Sequence, residues 1–126
     1  MGHLVKLGHI AIKTADLGKT LAFYETLGGV VRAREDLGPV SLIMLKLADF
    51  ELEIVYQPEA AKAEGSIPHF AVIVDDVKKT IEDLKASGID SFRGEMGTMD
   101  IFGGMDNVFL EGPNGEVIEL MKMHNI

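Results

Sequence analysis

The sequence contains no cysteine. That removes a disulfide framework, a thiolate nucleophile and a thiolate metal ligand together. It also lacks a basic excess: 12 Lys and Arg stand against 20 Asp and Glu, for a net charge of −8. A nucleic-acid footprint needs the opposite, a basic face, so nucleic acid is not expected as a partner. No apolar run approaches the length of a membrane-spanning helix, so no membrane partner is expected either. The opening stretch, MGHLVKLGHI, lacks the long apolar core and small-residue cleavage site of a secretory signal. What remains is 126 residues, 47% apolar and 25% charged, which suits one globular domain with a real core. A soluble, cytoplasmic protein is the expectation.

The chain repeats itself. GHIAIKTADLGKTLAFYETLGG and PHFAVIVDDVKKTIEDLKASGI match at an offset of 60. His9 falls on His69, Asp16 on Asp76, Leu17 on Val77, Thr20 on Thr80 and Gly28 on Gly88. A short β-rich run opens each copy, His9 to Thr14 and His69 to Val74. An Asp then stands where a helix N-cap belongs. Apolar residues at i, i+4 and i+7 follow (Leu17, Leu21, Tyr24; Val77, Ile81, Leu84), the pattern of a half-buried helix. Gly28 and Gly88 close the two helices as C′ residues would.

Three strand-like segments follow each helix. In the first half they are Val30 to Glu35, Val40 to Leu47 and Phe50 to Tyr56, the last two joined by a tight turn at Ala48 and Asp49. In the second they are Ile89 to Glu95, Asn107 to Leu110 and Val117 to Met121, with GPNG at 112 to 115 supplying hairpin turn chemistry. Each half therefore reads β-α-β-β-β. The expected architecture is α+β: two βαβββ modules in tandem (7–57 and 67–123), joined by a linker at 58–66. Together they are expected to form a single domain of paired mixed sheets around a shared concave surface. The stretch EMGTMDIFGGMDN, between two expected strands, reads as a loop whose methionines fill a gap or form a flap over a pocket.

One residue of the last strand is out of place. In GEVIELMKM, Glu119 shares a strand face with Val117 and Met121. A carboxylate there is costly to bury unless something pairs with it or binds it. The repeat suggests what does. Each module opens with a His on its first strand and carries a Glu on its last, His9 with Glu53 and His69 with Glu119. Two histidines and two glutamates at repeated positions suit a divalent transition metal with open water positions. Singly, each is better read as a core or edge residue. Glu51 rivals Glu53, since it shares that strand face. His3 and His124, near the termini, are given no role.

GHIAI, LEIVY, PHFAV and GEVIEL, set in paired βαβββ modules, resemble the vicinal oxygen chelate superfamily, which includes glyoxalase I. The resemblance runs from about Leu7 to Met121. It implies one divalent metal ion per site, held by His9, Glu53, His69 and Glu119. The His-Glu-His-Glu order resembles compact bacterial glyoxalase I and implies nickel or cobalt first, with zinc, manganese or iron as the other candidates. It further implies a lyase or isomerase that turns a 2-oxoaldehyde–thiol hemithioacetal into a 2-hydroxyacyl thioester through a metal-bound enediolate. Glu119 would be the general base and Glu53 its symmetric partner. A small-molecule substrate, a thiol adduct such as that of methylglyoxal, and a homodimer are implied too, with each site built within one chain or across two.

Alternatives within the superfamily are coenzyme A ester epimerases of the methylmalonyl type, and drug- or metabolite-binding resistance proteins without catalysis. In the glutathione-dependent bacterial enzymes an Arg and an Asn, each four residues past a ligand, help hold the thiol's carboxylates. Here those substrate-binding positions are Lys13 and Gln57. Lys cannot make the bidentate fork of Arg, which points to another thiol or another substrate.

Overall fold

The computed structural model describes Leu7 and residues 9–60, 69–101 and 103–125. The chain divides into two compact units, Met1–Ala61 and Lys62–Ile126. The boundary falls inside the expected linker 58–66, of which 61–66 lie outside the described residues.

The first unit is β1 (Ile10–Thr14), α1 (Leu17–Thr26), β2 (Val30–Leu37), β3 (Val40–Leu47) and β4 (Phe50–Tyr56). Its sheet runs β1-β4-β3-β2, with β1 parallel to β4 and the other pairs antiparallel. The second unit repeats this with β5 (Phe70–Ile73), α2 (Val77–Ala86), β6 (Gly97–Met99), β7 (Met105–Glu111) and β8 (Val117–Met123). Its order is β5-β8-β7-β6, again with the first strand parallel to the last. Two four-stranded mixed sheets in tandem βαβββ modules are the α+β architecture that the repeat predicts.

The local chemistry of the repeat is matched bond for bond. Asp16 and Asp76 cap the two helices, their side chains accepting from the N–H of Lys19 at 3.0 Å and of Lys79 at 2.9 Å. Each satisfies a backbone donor that the first helical turn leaves without an intrahelical partner. Gly28 and Gly88 take φ of 97° and 93°, the left-handed region where only glycine escapes a Cβ penalty. That reversal lets Gly29 N–H reach Tyr24 O at 2.8 Å and Ile89 N–H reach Leu84 O at 2.9 Å, closing each helix in the same way.

Strand alternation then sorts the core. In the first unit Ile43, Leu45 and Leu47 of β3 and Leu52 and Ile54 of β4 are buried, as is Tyr24 of α1. In the second, Val108 and Leu110 of β7 and Ile118 and Leu120 of β8 are buried with Val77 and Leu84 of α2. The intervening side chains of β4 and β8 are thereby committed to the other face.

Two expectations are corrected. The strand predicted over Ile89 to Glu95 is absent: Phe92 makes only an isolated bridge to Leu110, and Gly94 turns the chain with φ 86°. Residues 91–93 still lean on β7, since Arg93 N–H donates to Phe109 O and Glu111 N–H to Ser91 O. The true edge strand is β6, inside the stretch read as a loop or flap. It pairs antiparallel with β7 from Gly97 opposite Asn107 to Met99 opposite Met105. Its glycine and its length hid it, since glycine has low strand propensity and the strand is only three residues long.

Candidate functional site

Ala11 of β1 lies opposite Glu53 of β4, and Lys13 opposite Val55. Because Leu52 and Ile54 point into the core, Glu51, Glu53 and Val55 point away from it. His9, just before β1, follows the same alternation, and its Nε2 stands 3.8 Å from Glu53 Oε1. Lys13 is exposed at the end of β1. Gln57 follows β4 directly, and its backbone N–H donates to Thr14 O at 2.9 Å. Both proposed substrate-binding residues thus sit at the same end of the β1–β4 ladder.

Glu51 is otherwise engaged. Arg32 is the extra residue at a bulge in β2, where the pairing with β3 shifts between Val31 and Ala33. From there its Nη1 donates to Glu51 Oε1 at 2.7 Å.

The second unit repeats the pair more tightly. Ala71 of β5 lies opposite Glu119 of β8, and His69 Nε2 stands 3.2 Å from Glu119 Oε1. Glu119 is buried, at 8% exposure. Its second oxygen, Oε2, accepts from Asn107 Nδ2 at 3.0 Å. Phe109, opposite Glu119 on β7, sets its ring edge-to-face with His69, with centroids 5.2 Å apart. The Glu119 carboxylate of GEVIELMKM therefore faces an imidazole on one side and an amide on the other.

Neither Asn107 nor Phe109 stood out in the sequence. The available signal was an amide directly before the apolar run Val108 to Leu110, two positions before the residue paired with Glu119. Arg32 was hidden by its bulge, which breaks the alternation used to assign faces.

The donor set can be tested against a metal by distance. Two ligand atoms, each about 2.1 Å from one ion, stand roughly 3.0 to 3.4 Å apart at octahedral to tetrahedral angles. The His69–Glu119 separation of 3.2 Å falls in that range, and the His9–Glu53 separation of 3.8 Å is somewhat wider. Imidazole nitrogen and carboxylate oxygen without sulfur suit a borderline divalent ion. Among the described residues no three His, Asp or Glu side chains gather as a metal-holding group; what each module presents by itself is a pair.

His124 also has a place. Its Nε2 lies 2.8 Å from Asp106 Oδ1, and Thr98 Oγ1 donates to the same oxygen at 3.0 Å. These bonds, the one with His124 first and that from Thr98 second, hold the Asp106 carboxyl below its ordinary value of 3.8. His3 lies outside the described residues. None of the described helices is long and apolar enough to cross a membrane.

Tandem βαβββ modules with a His–Glu pair at matched strand positions define a class of α+β proteins built by repetition of one sheet. The profile of the Glyoxalase/Bleomycin resistance protein/Dioxygenase superfamily matches residues 6–120, and the chain belongs to that superfamily. A probable chloroplastic lactoylglutathione lyase of Arabidopsis thaliana is 30% identical over 124 residues, 90% of this chain. The chain spans about a third, 35%, of that relative's length. The crystal structure of a glyoxalase family protein from Enterococcus faecalis is similar with a TM-score of 0.80 and 26% identity, covering 93% of this chain and 97% of that one. The trypanothione-dependent glyoxalase I of Leishmania major shares the fold, with a TM-score of 0.77 at 24% identity over 97% of this chain and 89% of that one.

Proposed function

We propose that the protein is a metal-dependent lyase or isomerase of the glyoxalase I type. It would convert the hemithioacetal of a 2-oxoaldehyde such as methylglyoxal and a thiol into a 2-hydroxyacyl thioester, in the cytoplasm and as a homodimer. The observation that carries this reading is the recurrence of one His–Glu pair at matched strand positions in both modules. His9, Glu53, His69 and Glu119 would hold one divalent ion per pair of modules, nickel or cobalt first. The two pairs come from one chain or from two copies.

When bound, the ion supplies Lewis acidity to a substrate that offers two adjacent oxygens. The chain's own residues do the rest. A ligand carboxylate beside the reacting carbons takes a proton from one and returns it to its neighbour, a role that contributes roughly 10²- to 10⁴-fold. The resemblance names Glu119 for this and Glu53 as its symmetric partner. The exposed Lys13 ammonium and the Gln57 amide would hold the polar end of the thiol. Lys offers a point charge rather than a fork, so glutathione is expected to be a poorer partner than some other low-molecular-weight thiol.

The test is turnover by metal-loaded protein of methylglyoxal hemithioacetals made with several thiols, beside a coenzyme A ester with an acidic α-hydrogen. Thioester formation from a hemithioacetal supports the proposal. Epimerisation of the ester with no hemithioacetal turned over would replace it with the epimerase reading. Turnover of neither would leave a binding protein of the same superfamily.

A further inference from the structure

Asn107 ties three strands together inside the second unit. On one side its Nδ2 donates to Glu119 Oε2 of β8 at 3.0 Å. On the other, the same nitrogen donates to the Met99 sulfur of β6 at 3.8 Å. Both bonds are diagonal. Asn107 pairs with Gly97 and with Met121, so Met99 and Glu119 each lie two residues along the flanking strands. An amide nitrogen carries two protons, and here each has its own acceptor. Gly97 lets the amide sit this close to β6, because a Cβ there would stand 3.2 Å from Asn107 Oδ1.

The two acceptors differ in their surroundings. Asn107 and Glu119 are buried, both at 8% exposure, whereas Met99 is exposed at 43%. A thioether is a weak acceptor, and an exposed one is open to oxidation. Met96, at 39%, is the other exposed methionine among the described residues. It lies before β6 and takes no part in these bonds.

We infer that Met99 is a redox-sensitive modification site, and that its oxidation to the sulfoxide by a hydroperoxide loosens the hold of the Asn107 amide on Glu119. The sulfur lone pair attacks one peroxide oxygen, the O–O bond breaks and an S–O bond forms. With hydrogen peroxide, the departing hydroxide collects the proton of the transferred oxygen and leaves as water. The sulfur gives up two electrons and the peroxide gains them. The product is polar, with an oxygen that accepts more strongly than the thioether did. That oxygen does not fit in line between sulfur and amide. An N–H···O bond alone takes about 2.9 Å of the 3.8 Å between them, and the S–O bond is longer than the remainder. Because one nitrogen serves both partners, the amide is drawn toward β6 and its bond to Oε2 weakens. The effect on turnover rests on the reading of Glu119 as the residue that moves the proton; the change at the amide does not.

The experiment treats the protein, without added metal, with hydrogen peroxide. It follows the mass of the peptide that carries Met99 and the NMR signals of the Asn107 side-chain amide. Met99 should gain one oxygen and the amide signals should shift, and methionine sulfoxide reductase should reverse both. Met96→Leu should behave as wild type, and Met99→Leu should keep its amide signals in place under peroxide. In the hemithioacetal assay the oxidised wild type should turn over roughly two- to tenfold more slowly, the worth of one ordinary hydrogen bond. An amide that stays put while Met99 is oxidised, or one that still shifts in Met99→Leu, would overturn the inference. So would a Met99 that resists peroxide while Met96 is oxidised, or full turnover in an active protein whose Met99 is the sulfoxide. Should Met99→Leu fail to fold, Met96→Leu decides, since Met99 is then the one exposed methionine among the described residues. A protein that turns over no hemithioacetal would remove the lyase reading alone, because the amide signals still judge Met99.

Discussion

Arg32 and Glu51 hold each other across β3, Nη1 to Oε1 at 2.7 Å, and that ion pair engages one oxygen of the carboxylate that competes with Glu53. Glu51 and Glu53 share a face of β4 two residues apart, so sequence alone leaves both open. The pairing divides them by partner, Arg32 for one and His9 for the other. Glu53→Ala and His69→Ala should therefore weaken divalent-metal binding by orders of magnitude in proteins that remain folded. Glu51→Ala should leave it little changed. Chelator competition beside a circular-dichroism spectrum distinguishes these outcomes, and loss of metal only in Glu51→Ala would contradict the assignment.

A second prediction concerns Lys13. Losing one charge-assisted contact costs about 1.5–3 kcal/mol, or roughly ten- to a hundredfold in affinity. Lys13→Ala should raise KM by that factor with kcat nearly unchanged, the mark of binding lost equally from ground and transition states. Steady-state kinetics with the best thiol adduct reads it. A fall in kcat at constant KM would place Lys13 in the chemistry instead.

The pH dependence of the C-terminal segment follows from Asp106. Its carboxyl is depressed below 3.8 by its hydrogen bonds with His124 and Thr98. A depressed folded-state value means the contribution is present above the unfolded value and is lost as pH falls through the folded one. The contact should persist from neutral pH down to about pH 4 and loosen only below it. Hydrogen exchange of the His124 N–H, bonded to Gly104 O at 2.9 Å, tracks this. Asp106→Asn should abolish that dependence.

Helix capping gives a prediction independent of function. Asp16→Ala and Asp76→Ala each remove a side-chain acceptor from a first-turn N–H, at a cost of about 1 kcal/mol. Denaturant midpoints should fall by similar amounts in both, since the two caps are near copies at 3.0 and 2.9 Å.

Much of this molecule is legible from the chain because its signals are local. Asp16 and Asp76, Gly28 and Gly88, and the apolar spacing of the helices each act within one turn, and the repeat confirms each by its copy. The pairs His9–Glu53 and His69–Glu119 were legible for a different reason, namely that strand faces alternate. What escaped depends on register and bulges. Asn107 reaches Glu119 only because β7 pairs with β8 at one particular offset. Arg32 reaches Glu51 only because β2 carries an extra residue. The β6 edge strand is defined by its neighbour more than by its own side chains, and no period of two residues announces it.

The parallel pairing of first strand to last has a consequence for the order in which the chain folds. Strands β2, β3 and β4 meet their partners through antiparallel pairings of nearby segments. Strand β1 must instead close the whole module to bring Ile10 to Leu52, as β5 must to bring Phe70 to Ile118. Closure over long separations is slow to form and early to open. Each glutamate is carried by the strand of the early meander, and each histidine travels at the head of the strand that docks late. Completing a pair thus reports that its module has finished folding, and an ion bridging the pair would act as a latch on that final docking step.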